Sequence, residues 1–306
     1  MCVVATKFIE GYGWVGAKNR DRNYKTEVHV CQSNRYGVQR LYIDDQRSRW
    51  TEGLNEYGLC ILNAAFSVMY DEIEGDETES NVIKKKKKKK GTKYNEDGRK
   101  IRKALLEKDP YEAIKYLQSV ELAGATYVFN EEDCYLMESG YNIDKSAETA
   151  DNPRKFMSKI IKIDPKIGSS VRTNHGINIT KLGYSKNSDD PKTQLNRKSS
   201  EMRRSYVMKE LKKDFDNPHE LMDALAVSPN EDTFLNPIRL GNYKKGEMVT
   251  TGQLLLIPKE RTLHYRPILS TVKFQYDRIS GPEAKTYFEI ISSRKLLSFR
   301  EWIEYK

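Results

Sequence analysis

The chain predicts an α+β fold in which antiparallel sheets are layered against helices, and three observations carry that expectation. Short strand-like runs fill roughly the first 70 residues, helix-forming stretches occupy the middle, and the last third returns to strands. The composition, 38% hydrophobic, 32% charged and 10% aromatic, is polar for a globular protein yet still rich enough in apolar and ring residues to pack a core. The 306 residues contain no internal repeat and no linker-like stretch, which points to one domain over 1–306.

The elements follow in order. Cys2–Phe8, Trp14–Lys18, Glu27–Cys31 and Gly58–Phe66 read as strands separated by turn residues, as in an antiparallel meander. Acidic residues from Asp71 to Glu79 precede the lysine run Lys84–Lys90, and these opposed charge blocks predict a solvated, mobile loop at about 71–98. A helical stretch, Arg99–Lys108, comes next. Asp109 then caps a second helix with Pro110 at its first position, running to about Ser119. Ala125–Phe129 and Cys134–Glu138 form a hairpin around Asn130–Asp133, and 142–170 reads as irregular. A polar loop, 183–198, precedes a helix capped by Ser199 or Ser200 and ending near Lys213. Another helix opens at Asn217-Pro218 and ends near Val227. Met248–Ile257, Thr262–Phe274 and Thr286–Ile291 are the closing strands.

Charge and cysteine usage exclude several classes. The net charge is +9, but seven lysines at 84–90 account for most of it, and without them it falls to +2. That run has no interleaved aromatics for base stacking, which argues against nucleic-acid binding. No apolar stretch reaches the roughly 18–20 residues of a membrane span, and the N-terminus lacks the pattern of a secretory signal. Cys2, Cys31, Cys60 and Cys134 lie far apart with no zinc spacing, so neither a disulfide framework nor a metal site is expected. These features favour a cytoplasmic protein with no metal and no cofactor. Cys31, Cys60 and Cys134 sit in apolar runs and read as buried core thiols. Oligomeric state stays open, a homo-oligomer included.

Cys2 is the most informative residue. A small residue in second position permits removal of Met1, which would leave a thiol and a free α-amine on one residue. That is a nucleophile with its own base, with reference pKa values of about 8.5 and about 8. Glu10-Gly11-Tyr12-Gly13 fits a two-residue type II′ hairpin turn with Gly11 first, which sets Cys2 opposite Asp21. A slipped register would pair Cys2 with Asn19 and leave Asp21 diagonal on the same face, about 7–8 Å away. Either way a carboxylate returns beside the terminal amine, and Lys18 nearby would favour the thiolate. The plainer role for Asp21 is a surface ion pair with Arg20 or Arg22.

Met1-Cys2 followed by Lys18-Asn19-Arg20-Asp21 resembles the start of the N-terminal-nucleophile (Ntn) hydrolases of the choloylglycine hydrolase, penicillin V acylase and isopenicillin-N acyltransferase group. Many members carry R-N-x-D at this distance from the cysteine, and Lys18 departs from it. Asn19-Arg20-Asp21 is also similar to the N-R-D of a related N-terminal-cysteine family of undetermined chemistry. Gly53-Leu54-Asn55-Glu56-Tyr57-Gly58-Leu59, followed by Leu62-Asn63-Ala64, resembles the group's G-x-N-E-x-G-L strand pair. Thr173-Asn174-His175 and Ser199-Ser200-Glu201-Met202-Arg203 resemble its T-N-H and S-S-x-x-R elements. The matches keep the group's order over about residues 1–210.

The resemblance implies an αββα sandwich of two antiparallel sheets between helical layers. It also implies amide cleavage through a Cys2 acyl-enzyme, or acyl transfer to another amine, on a linear non-peptide C–N bond of a small molecule. Asp21 would hold the α-amine, and the amides of Asn63 and Asn174 would donate to the oxyanion, a donor of that kind being worth about 10²–10³ in rate. Arg203 would tie Cys2 or Asp21 in place, Lys18 would lie at the substrate, and His175 would be a pocket or structural residue. On their residues alone, Asn63 reads equally as a strand-end cap and Asn174 as an Asx turn before Gly176. Arg203 and Arg204 at a helix start oppose the macrodipole, which asks for a carboxylate partner. Two other readings compete. One is a non-catalytic protein of this fold that uses the lysine-rich loop to hold an acidic or nucleic-acid partner. The weaker one is a proteasome-like peptidase.

Overall fold

The computed structural model describes residues 2–66, 92–141, 155–184, 189–241, 247–277, 289–291 and 297–299. The lysine run and the acidic stretch before it lie outside these residues. The N-terminal half supplies β1 (Cys2–Ile9), β2 (Gly13–Arg22), β3 (Thr26–Ser33), β4 (Arg40–Asp45), β5 (Thr51–Asn55) and β6 (Cys60–Ala64). Helices α1 (Thr92–Ala104) and α2 (Pro110–Ser119) lead to β7 (Gly124–Phe129), β8 (Cys134–Tyr141), β9 (Phe156–Lys162) and β10 (Ser169–Arg172). Helices α3 (Pro191–Glu210) and α4 (His219–Leu225) precede β11 (Val249–Ile257), β12 (Thr262–Pro267), β13 (Ser270–Asp277), β14 (Glu289–Ile291) and β15 (Leu297–Phe299).

These strands form two sheets. The first runs β10–β1–β2–β11–β12–β15 and the second β14–β13–β3–β4–β5–β6–β7–β8–β9. Neighbours are antiparallel except β13 beside β3, which is parallel. Side chains alternate across each strand, and among the described residues three apolar cores result. Cys2, Val4, Trp14, Leu254 and Leu256 of the first sheet meet Val30, Ile43, Cys60, Leu62 and Phe129 of the second between the sheets. Val3, Ala5, Val15, Ala17, Leu255 and Ile257 face the other way, onto Val207 of α3 and Leu221, Met222 and Leu225 of α4. Ile61 and Val128 face Ile101 and Ala104 of α1 and Ile114 and Leu117 of α2. Helix, sheet, sheet, helix is therefore the layering. Burial on both faces is why so many strands read as continuous apolar runs.

Local chemistry explains several elements and several departures. Asp109 caps α2 as predicted, its carboxylate accepting from the backbone N–H groups of Tyr111 and Glu112. Helix α1 opens at Thr92, inside the stretch read as loop, and ends at Ala104 short of Lys108. Its Gly98 lies so close to the Arg49 carbonyl that a Cβ would sit 1.9 Å from the oxygen, a tertiary contact that composition does not reveal. Helix α3 begins at Pro191 with Asp190 as its cap, well before Ser199, so Arg203 lies mid-helix and the macrodipole argument does not apply to it. The stretch read as irregular, 142–170, holds β9, a weakly patterned edge strand, and the first half of the four-residue β10. The predicted strand Thr262–Phe274 is two strands. The chain turns at Ile268 and Leu269, whose N–H groups both donate to the Thr251 carbonyl, and passes from the first sheet to the second. Strands β4, β5 and β15 complete the sheets.

The first hairpin departs most consequentially. Its loop is three residues, 10–12, with Ile9 paired to Gly13. Gly13 takes φ +73° and packs so tightly on the Glu131 carbonyl that a Cβ would lie 2.2 Å from it. A left-handed residue closing a three-residue loop is a standard alternative to the two-residue turn. The register shifts by one, Cys2 pairs with Arg20, and a one-residue shift exchanges the two faces of the strand.

Candidate functional site

Four neighbouring strands of the first sheet bring their ends together around Cys2. Val4 pairs with Arg172 and with Lys18, which sets Asn174, just past β10, level with Cys2 on one side. Arg20 and Asp21 of β2 lie on the other side, and Thr250 of β11 pairs with Asp21. The Cys2 side chain turns into the space between the sheets and is 5% exposed.

On that inter-sheet side the site is a buried charge cluster. Lys18, Arg20 and Arg22 alternate onto the Cys2 face of β2 and meet carboxylates from the second sheet. Lys18 Nζ pairs with Glu52 Oε1 of β5 and donates to the Asn63 carbonyl. Arg20 donates to Glu52 Oε2 at 2.6 Å and to Asp45 Oδ2 of β4 at 3.4 Å. Arg22 donates to the same Asp45 oxygen at 3.0 Å, to the Asp21 carbonyl at 2.8 Å, and to Cys2 Sγ at 3.6 Å. The arginines beside it hold the Asp45 carboxyl well below its ordinary range, against the upward push of burial. Burial likewise pushes the Cys2 thiol up, but Lys18, the chain terminus and Arg22 outweigh burial and the opposing Asp21, and hold it at about 7.

On the helix side lies a hydrogen-bonded brace. The Cys2 N–H donates to Asn174 Oδ1 at 2.9 Å, and Arg203 of α3 donates to the same oxygen at 3.3 Å. Arg203 also reaches Asp21 Oδ2 at 3.3 Å. Asp21 Oδ1 accepts from Thr250 Oγ1 at 2.8 Å, and Arg239 lies 4.0 Å from Oδ2. Arg239 is itself held by Ser199 Oγ at 2.8 Å and the Phe234 carbonyl at 2.9 Å. Burial and the facing Arg239 push Arg203 down to about 9, against the pull of Asp21, so it stays charged at neutral pH. Asn174 is fixed from both ends. Its N–H donates to Ser200 Oγ at 3.0 Å, and its Nδ2 donates to the Ala65 carbonyl at 2.6 Å.

Of the residues singled out by sequence, Cys2, Asp21, Asn174 and Arg203 come together, with Lys18 on the Cys2 face. Asp21 does so differently from either expected register. It projects to the helix side, fully buried, and reaches the Cys2 nitrogen through Arg203 and Asn174; the surface pairing with Arg20 or Arg22 is not what the structure shows. Asn63 is a correction. Cys60, Leu62 and Ala64 face Cys2, so Asn63 alternates onto the opposite side of β6, where Nδ2 donates to Thr126 Oγ1 at 2.7 Å and to the Ala123 carbonyl at 3.3 Å. Its amide points away from the sulfur and both N–H bonds are engaged. Lys18 is 1% exposed and engaged with Glu52, which removes it as a freely presented substrate contact. His175 is 3% exposed, with Nδ1 2.7 Å from Ser200 Oγ and 3.1 Å from Thr173 Oγ1. Burial and four surrounding arginines push it down to about 3, so it is a neutral support for Ser200.

Sequence reading missed Arg22 as a partner of the thiol, and Arg239, Thr250, Glu52 and Asp45 altogether. Strict alternation from Cys2 in the correct register would have found Arg22; nothing in the sequence marks Arg239. Among the described residues no group of three or more His, Cys, Asp or Glu is arranged to hold a metal ion, and no helix is long and apolar enough to cross a membrane. All four cysteines are free thiols and buried.

No family model matches the chain, and no curated protein matches it. Solved structures do. Penicillin V acylase from Agrobacterium tumefaciens is similar at 12% identity and a TM-score of 0.43, over 88% of this chain and 84% of that one. A mutant of the conjugated bile acid hydrolase from Clostridium perfringens is similar at 11% identity and a TM-score of 0.42, over 98% of this chain and 97% of that one.

Proposed function

We propose that the chain cleaves a linear, non-peptide amide through a thioester on Cys2, formed once Met1 has been removed. The observation that carries this reading is the double hold on one residue: the Cys2 nitrogen is fixed by Asn174 Oδ1 and its sulfur by Arg22. A terminal amine at that nitrogen would lie next to its own thiol, oriented by an acceptor that favours its protonated form.

The sulfur attacks the amide carbonyl, and the terminal amine delivers a proton to the departing nitrogen. Negative charge developing on the substrate oxygen falls in a buried region where Lys18, Arg20, Arg22, Arg203 and Arg239 outnumber Glu52, Asp45 and Asp21. Such preorganised positive charge stabilises an oxyanion more strongly than water does. With the Asn63 amide turned away, the arginine cluster takes the part first given to that residue. Water, or a second amine in a transferase version of the same chemistry, then releases the acyl group.

The test combines intact mass with a panel of N-acyl amino acids, β-alanyl amines, acyl-homoserine lactones, penicillin V and conjugated bile salts. The expected result is loss of Met1, acylation of Cys2 by at least one substrate, and no turnover by Cys2→Ala. Turnover that survives Cys2→Ala, or active protein that keeps Met1, overturns the reading.

A further inference from the structure

We infer that Arg22 is a further catalytic residue, the counter-ion of a Cys2 thiolate, so that the attacking form of the nucleophile is the ionised one with its proton already on the terminal amine. The inference rests on Cys2 being the nucleophile and concerns its protonation.

Geometry comes first. The Arg22 guanidinium is fixed by Asp45 Oδ2 at Nε and by the Asp21 carbonyl at NH1, and that same NH1 lies 3.6 Å from Cys2 Sγ. Lys18, the other cation near the sulfur, is held by Glu52 and the Asn63 carbonyl. Arg22 is therefore the cation whose donors reach the thiol.

Charge balance points the same way. On the inter-sheet face, Lys18 and Arg20 share Glu52, and Arg20 and Arg22 share Asp45, three cations against two carboxylates. An uncompensated buried charge is costly, and a thiolate at Cys2 supplies the missing anion. The helix side does not supply it. There Asp21 faces both Arg203 of α3 and Arg239 of the segment before β11. The groups acting on the thiol are thus Lys18, Arg22 and Asp21 of β2, Arg203, Arg239 and the chain terminus, with Asp45 and Glu52 behind the β2 cations. Their sum favours the ionised form over the cost of burial.

The step balances. The thiolate lone pair forms the C–S bond while the carbonyl π pair moves to oxygen. Collapse of that adduct breaks the C–N bond, and the leaving nitrogen takes the proton of the terminal ammonium. The now neutral amine removes a proton from water as it attacks the thioester. Collapse returns the electron pair to sulfur and the carboxylic acid departs, restoring the thiolate beside Arg22 and the proton on the amine.

The experiment titrates the ultraviolet absorbance of the thiolate in the full chain, with Cys2→Ala as the blank. The half-point is expected at about 7 in the unaltered protein. Arg22→Gln should raise it by about one pH unit or more, cutting the ionised fraction at neutral pH from about one half to about one tenth, and Arg22→Lys should restore most of it. Asp45→Asn disturbs the same cluster but removes negative charge, so its half-point should move down. An Arg22→Gln titration that matches the unaltered protein, or an Asp45→Asn half-point that rises alongside it, overturns the inference. A titration that responds to Arg22 together with turnover that survives Cys2→Ala upholds the Arg22–thiolate ion pair while sinking the proposed function. Cys2-dependent turnover with a titration indifferent to Arg22 does the reverse.

Discussion

The two faces of β2 use charge in different ways. Lys18, Arg20 and Arg22 point between the sheets, where the only carboxylates they meet among the described residues are Glu52 and Asp45 from the opposite sheet. Asn19 and Asp21 point toward the helices. There Asn19 donates to the carbonyls of Leu225 and Pro237 and accepts from Gln253, and Asp21 accepts from Thr250 and Arg203. One face is an ion cluster that sets the protonation of a sulfur; the other is a brace that sets the position of a nitrogen. Both functions fit on one strand because Cys2 contributes its side chain to the first face and its backbone nitrogen, lying in the sheet plane, to the second.

Removing a counter-charge should separate the faces most sharply. Glu52→Gln strips Lys18 and Arg20 of a partner that is fully buried, and unfolding in denaturant should show a loss of about 3–5 kcal/mol. Adding Lys18→Met to that variant should recover much of the loss, because the cost lies in an uncompensated cation and burial already lowers the pKa of Lys18. If the double variant is no more stable than the single one, the cluster is held by shape and not by charge.

Asp21→Asn should cost less, about 2–3 kcal/mol, because Arg203 keeps Asn174 Oδ1 and the Ser199 carbonyl and Arg239 keeps Ser199 and Phe234. Its signature should be in turnover, through a slackened Asn174, with the thiol half-point lowered because Asp21 pushes it up in the intact protein. A half-point that rises in Asp21→Asn would mean that the two faces do not act on the sulfur as the charges around it require.

How far the sequence reached follows the same division. Whatever depended on one element or on neighbouring strands was legible: the Asp109-Pro110 cap, the β7–β8 hairpin and the buried thiols; the gathering of Asn174 and Arg203 at Cys2 was implied only by the resemblance. The start of α3 was placed eight or more residues late, at Ser199 or Ser200, although Asp190-Pro191 carries the same signal as Asp109-Pro110. Register was not legible. A three-residue hairpin loop stabilised by contact of Gly13 with Glu131 depends on a turn more than a hundred residues away in the chain. The face of Asn63 was lost for a similar reason, because β6 is apolar on both sides and its alternation carries no polarity to mark which side faces Cys2.

Asn63 offers the next test, with a smaller effect. Asn63→Ala should cost about 1–2 kcal/mol by leaving Thr126 and the Ala123 carbonyl without their donor. Turnover per folded molecule should stay within about threefold of the unaltered chain, whereas an oxyanion donor would cost about 10²–10³. A loss on that scale would require the β6 side chain to turn toward Cys2 during the reaction.

At neutral pH the mildest effect belongs to His175, at the outer end of the brace, and it changes as the solution is acidified. Its ring stays neutral in the folded chain down to about pH 3, while an unfolded histidine takes its proton at about 6.5. Between those values the unfolded state binds the extra proton, so the contribution is complete above the unfolded pKa and falls as the solution is acidified, by up to about 1.4 kcal/mol per pH unit. His175→Asn should lose a hydrogen bond to Ser200 at neutral pH and be the less stable protein there. Its disadvantage should shrink or reverse at pH 4.5, because asparagine carries no such penalty. Denaturant midpoints of both proteins at the two pH values decide it. A disadvantage that stays constant would show that the imidazole takes its proton in the folded state, and with it that the helix side of β2 shares the electrostatic character of the inter-sheet side.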